Sequence, residues 1–173
     1  MRNLISGIKN NGDGERLTEE AKLLAQYLNQ YRYCVGQKKT LENRRQEILK
    51  EFENPLRSRR MDGMPKGSRS QLGCAEIPLQ LDEIDTKIKE QLEHTKQVLV
   101  NIINIINFLP ESSIERSIIE NRYIDRYSWE KVCQENLISR TPATKKWRKG
   151  LYMLLEQQKV QEILKEYQKQ IQD

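Results

Sequence analysis

The sequence predicts an all-α protein: a long antiparallel helical hairpin, coiled-coil-like, followed by a C-terminal helix-turn-helix domain. Three observations predict it. Apolar residues recur at steps of three and four along two stretches longer than ordinary globular helices. A Gly/Pro-rich basic segment separates those stretches, and a short acid-free basic segment follows two closely spaced helix starts. The composition agrees, with 36% hydrophobic and 32% charged residues and only 8 Gly and 5 Pro in 173. That balance suits solvated helices that each bury one narrow stripe. The expected division is a hairpin over 1–109 with its basic Gly/Pro loop at about 55–78, a helix-turn-helix unit over 110–156, and a helical tail over 157–173.

Asn10 to Gly14 are turn formers, and Thr18 or nearby Asp13 can start the first helix, with Glu19 and Glu20 well placed in its first turn. Its seam runs Leu17, Ala21, Leu24, Leu28, Tyr31, Val35, Leu41, Ile48 and Phe52; Gly36 weakens it without stopping it, and Asn54-Pro55 ends it. A helix that long needs a partner helix. The second seam, Leu81, Ile84, Ile88, Leu92, Thr95, Leu99, Ile102, Ile106 and Leu109, supplies one by folding back. A charge at Leu92 or Ile102 is expected to break the hairpin. Val98 to Leu109 is apolar almost all round, so the C-terminal helices must cover it.

After Leu109-Pro110, Ser112 or Ser113 caps a short helix carrying Ile114, Ile118, Ile119 and Tyr123. Ser128 caps the next, from Trp129 to about Asn136. Leu137-Ile138-Ser139 turns tightly into a longer helix from about Thr141 through Leu155 and onward, with Pro142 tolerated in its first turn. The Gln/Lys/Glu-rich tail is helical by propensity and extends past the globular part.

Charge and chemistry narrow the function. The chain has 30 Lys and Arg against 25 Asp and Glu, a net +5, concentrated in two patches. One runs from Arg57 to Arg69. The other, Ser139 to Gly150, holds Arg140, Lys145, Lys146, Arg148 and Lys149 and no acid, a usable nucleic-acid signal. Cys34, Cys74 and Cys133 are widely spaced and His94 stands alone, so neither a metal site nor a disulfide framework is expected. No phosphate-cradling loop or nucleophile motif occurs, so no catalytic residue and no cofactor is expected. With no signal-peptide pattern and no apolar run long enough to span a bilayer, the expected location is the cytoplasm, with no membrane partner.

Tyr127 through Arg148 carry the central reading. Cys133 is small where two steeply crossing helices must approach, and Val132, Leu137 and Ile138 supply apolar contacts. Trp129 reads as core. Ser139 is an N-cap able to hold a DNA phosphate, and the following helix offers Arg140, Thr141, Thr144, Lys145, Arg148 and Lys149. Arg140, Thr144 and Arg148, at steps of four, are expected to point together at base edges, with Lys145 and Lys149 on phosphates.

Leu109 through Leu155 resembles sigma-factor region 4, in the order Leu-Pro, Asn121-Arg122-Tyr123-Ile124, Tyr127-Ser128-Trp129-Glu130, Val132, Ser139 and Leu151. The whole chain resembles the RinA/ArpU-like late regulators of phages infecting Gram-positive bacteria, and Met61 to Ser68 is similar to their Met-Pro-basic-Gly loop. The resemblance implies a sequence-specific regulator that binds double-stranded DNA, controls phage or mobile-element genes and contacts bacterial RNA polymerase. One departure is visible: Lys146 stands seven positions after Ser139, where such recognition helices carry an apolar residue, and Trp147 follows it. The helix phase is open by one position. The basic loop reads as a connector, with insertion beside DNA or polymerase as the alternative. The alternative for the whole chain is a DNA-binding structural or packaging subunit, small-terminase-like, that forms a homo-oligomer through the hairpin.

Overall fold

A computed structural model describes residues 17–53 and 76–172. The basic loop around Met61 to Arg69, Cys74 and the segment before Leu17 lie outside the described residues. Six helices follow in order: α1 (Glu19–Glu53), α2 (Glu76–Ile106), α3 (Ile114–Tyr123), α4 (Trp129–Glu135), α5 (Arg140–Leu155) and α6 (Gln158–Gln172). No strand occurs among the described residues, and the all-α expectation holds.

α1 and α2 form the antiparallel hairpin. At 1.5 Å per residue, α1 spans about 52 Å, and it passes through Gly36 without a break. The direction of pairing is read from the cross-links. Cys34 Sγ lies 3.6 Å from His94 Nδ1, Gln91 donates to the Cys34 carbonyl at 3.3 Å, and farther out Arg45 grips Asp85 at 2.5 and 3.2 Å. The two-pronged bond to Arg45 holds the Asp85 carboxyl below its usual range.

The two halves of the hairpin differ. Toward the loop end, side chains are half-buried or exposed; toward the other end, Ala21, Leu24 and Leu28 of α1 and Ile102, Ile105 and Ile106 of α2 are fully enclosed. Their cover comes from α3, α5 and α6, whose Ile119, Leu151, Leu154, Val160 and Leu164 join the same continuous core. The expected burial of the Val98–Leu109 stretch by C-terminal helices is thereby met, although Val100 and Phe108 on its outer side stay exposed.

Several sequence expectations are corrected. Leu92 is 37% exposed and Phe52 51%, so both sit on the rim of the hairpin; the stripe facing the partner helix passes through Gln91, Thr95, Val98 and Ile102 instead. α2 begins at Glu76, which puts Pro78 inside its first turn, where a missing N–H costs nothing. The tail does not project. The chain breaks at Glu156–Gln157, and α6 folds back with Val160 and Leu164 buried, Tyr167 meeting Tyr27 edge-on at 5.2 Å.

Candidate nucleic-acid interface

α3 is fixed first. Ser113 caps it by accepting from the Arg116 amide at 3.2 Å, and Arg116 reaches back to Asn107 and the Leu109 carbonyl while pairing with Glu120. This ties α3 to the end of α2. Arg126, at φ 60°, then turns the chain out of α3, and Ser128 caps α4 through the Lys131 amide at 3.3 Å. α4 ends in a paired closure: Leu137 N–H donates to the Gln134 carbonyl and Ile138 N–H to that of Cys133, with Leu137 left-handed at φ 52° between them.

Leu137 corrects the sequence reading. It was expected to pack between the helices, yet it is 92% exposed. The left-handed turn imposes that direction, and it is a conformation that glycine adopts without the Cβ penalty. Leu137→Gly is therefore expected to stabilise the protein by about 0.5–1 kcal/mol, read as a raised urea midpoint. A lowered midpoint would mean that the leucine is held by contacts of its own.

Cys133 is only partly buried, so the close approach lies elsewhere. Val132 of α4 is fully buried, and the small residues are on α5, where Ala143 and Gly150 face inward. A Cβ on Gly150 would stand 2.6 Å from Ile119 Cδ1 and 3.3 Å from Glu115 Cβ. α3 thus crosses α5 at Gly150.

That crossing sets which side of α5 faces outward. With Ala143, Gly150, Leu151 and Leu154 inward, a rotation of about 100° per residue puts Thr141, Lys145 and Arg148 on the opposite side. Thr141, Lys145 and Lys149 are exposed and Arg148 is half-buried; Arg148 Nε is shielded from solvent without a hydrogen-bond partner. Arg140 does not point with Arg148. Its guanidinium folds over the Trp129 ring at 4.2 Å. Thr144 donates its hydroxyl to the Arg140 carbonyl at 3.0 Å, toward its own helix. Ser139 is exposed, and its side chain makes no capping bond, although its backbone is in the capping conformation.

Lys149 and Lys146 have a different role from the one expected. Both reach Glu115 of α3, at 3.1 and 3.2 Å, and that carboxylate is almost enclosed. Burial pushes the Glu115 pKa up, but a backbone hydrogen bond and the two lysines pull it further down, leaving it below the usual value. The open helix phase is settled: Lys146 spans to Glu115, and Trp147 takes the inward-leaning position, donating to Tyr123 Oη at 3.2 Å and meeting Trp129 edge-on at 5.7 Å. Burial pushes the Tyr123 phenol up to about 12. Trp129 is half-buried, with the guanidiniums of Arg140 and Arg122 over its ring at 4.2 and 5.4 Å.

A cleft of about 600 Å³ between α1, α2 and α6 contains Cys34 and His94. Burial pushes the Cys34 thiol up, which disfavours the thiolate a nucleophile needs. Among the described residues no group of three or more His, Cys, Asp or Glu is placed to hold a metal ion, and no helix is long and apolar enough to cross a membrane. Compared with known proteins, the chain matches no protein-family model, no curated protein and no solved structure.

Proposed function

We propose that the protein is a sequence-specific, double-stranded-DNA-binding transcription regulator, sigma-factor-like, that controls phage or mobile-element genes and touches host RNA polymerase at the promoter. The observation that carries this reading is the outward face of α5. It presents Thr141, Lys145 and Arg148 from a helix that contains no acid, and α3 and α4 brace that helix from behind. α5 enters the major groove, where the Arg148 fork matches a guanine edge. Arg140, stacked on Trp129, lies at the N-terminal end of α5 and holds the backbone, as do Lys145 and the Ser139 hydroxyl.

A pool of random duplexes tests the reading. Repeated selection with the protein is expected to enrich one motif, and a reporter carrying that motif should change output when the protein is supplied. The affinity for the selected duplex should fall as salt rises, with a slope of log K on log salt near about −0.9 per phosphate met. A pool unchanged by selection, or binding indifferent to salt, contradicts the proposal.

A second reading has its own observation. Leu79, Leu92 and Val100 are exposed along α2, and a packaging subunit that assembles through the hairpin would cover them. Sedimentation separates the two: a ring-sized oligomer supports packaging, a monomer or dimer with a discrete promoter footprint supports regulation.

A further inference from the structure

Four arginines from different segments, linked through shared or adjacent partners, make up an arc beside α5. The Arg140 guanidinium lies 4.2 Å from the centre of the Trp129 ring, and that of Arg122, from the last turn of α3, lies 5.4 Å from it. Arg122 Nη1 donates to the Tyr127 carbonyl at 2.8 Å. Arg32, on α1 of the hairpin, donates Nη2 to the Arg126 carbonyl at 2.9 Å, and the Arg126 guanidinium lies 5.7 Å over the ring of Tyr31. Among the described residues none of the four is ion-paired; they are held by carbonyls and aromatic faces. Elsewhere the protein does pair its charges, as Arg45 with Asp85 and Arg116 with Glu120 show.

Like charges gathered without a counter-charge repel, and here the repulsion is registered. Burial first, then the neighbouring Arg32 and Arg140, lower the proton affinity of Arg122. Each guanidinium has five N–H donors in a fixed fork, and the carbonyl and ring contacts occupy one donor or one face. The remaining donors are available to an extended anion, and a duplex presents its phosphates in such a row.

We infer that the arc is a phosphate track: the DNA backbone that leaves α5 crosses Arg140 and Arg122 and continues onto Arg126 and Arg32. The hairpin helix α1 is then part of the DNA interface, and the footprint is wider than α3 to α5 alone would give. This rests on the DNA-binding reading above.

The test uses the full chain and two variants chosen to keep the fold. Arg32→Gln removes the charge but retains an amide donor for the Arg126 carbonyl. Arg126→Gly removes a charge at a left-handed φ that glycine adopts freely, so its melting temperature should equal or exceed that of the parent. Lys38→Ala, elsewhere on α1 and paired with Glu42, serves as the control. Each arginine variant is expected to weaken selected and scrambled duplexes by the same several-fold factor and to flatten the salt slope by about 0.9. Lys38→Ala should leave the slope unchanged. If the parent binds no duplex at any salt, the DNA reading itself fails. If the parent binds, and both arginine variants keep its slope, the track is refuted while the DNA reading stands. A loss equal to theirs in Lys38→Ala would also refute it, by reducing the effect to net charge.

Discussion

Ile102→Asp is expected to unfold the protein, whereas Leu92→Asp leaves it folded. Ile102 is fully enclosed in the core where α1, α2 and the C-terminal helices meet, so an aspartate there loses the apolar contacts and buries a carboxylate without a partner. The combined cost is about 5 kcal/mol, comparable with the whole stability of an ordinary domain. Leu92 is 37% exposed on the hairpin rim, and an aspartate there keeps its water; a change within about 1 kcal/mol is expected. Helical circular dichroism and urea midpoints measure both. A native-like midpoint for Ile102→Asp would remove the shared core from the account, and equal losses for the two variants would put the seam on the wrong residues.

The second large effect belongs to Gly150. Valine there drives a branched side chain into Ile119, which is itself fully buried, and into Glu115, which is tied to two lysines. Overpacking of this kind costs about 1–3 kcal/mol, and a lowering of the melting temperature by about 2–12 °C follows for a chain of this size. Gly150→Ala behaves differently. Its single Cβ needs only a small shift of the terminal Ile119 Cδ1 and of Glu115 Cβ, and the gain of about 1 kcal/mol in helix propensity offsets that crowding. The expected pair of results is a clear loss for valine and little net change for alanine. Equal tolerance of both would mean that α3 and α5 do not cross closely.

The hairpin and the C-terminal helix order were legible because they rest on local signals: three-and-four spacing of apolar residues, and Ser113, Ser128 and Ser139 at the helix starts. Leu92 was misread because the buried stripe runs through polar residues at that level. Thr95 is buried with its hydroxyl bonded to the Gln91 carbonyl at 2.6 Å, and apolar spacing alone points to the large neighbour Leu92 and not to the polar Gln91. The tail was misread because Gln and Lys dominate its composition, although Val160, Ile163, Leu164 and Tyr167 repeat at helical spacing and pack on the core.

In the candidate interface, the residue types of α5 were legible and their partners were not. Nothing local indicates that Glu115 meets Lys146, a residue 31 positions away, or that Arg140 will turn onto Trp129. Those contacts arise from the crossing of α3 and α5 at Gly150, a tertiary fact. They change the assignment: Lys149 braces α3, Arg140 leans toward α4, and Arg148 is left as the arginine of the outward face.

If α5 reads bases through Arg148, the ratio of affinities for the selected duplex and a scrambled one, at fixed salt, shows it most directly. The measurement compares the parent, Arg148→Ala and Lys149→Ala by competition. Arg148→Ala is expected to lose about 1–3 kcal/mol of discrimination, roughly a 5- to 160-fold fall in the ratio, because a bidentate guanine contact disappears. Lys149→Ala is expected to leave the ratio intact, since a lysine committed to Glu115 carries no sequence information. A parent-like ratio in Arg148→Ala, or a collapse of the ratio in Lys149→Ala alone, would contradict the assignment of α5's outward face as the reading surface.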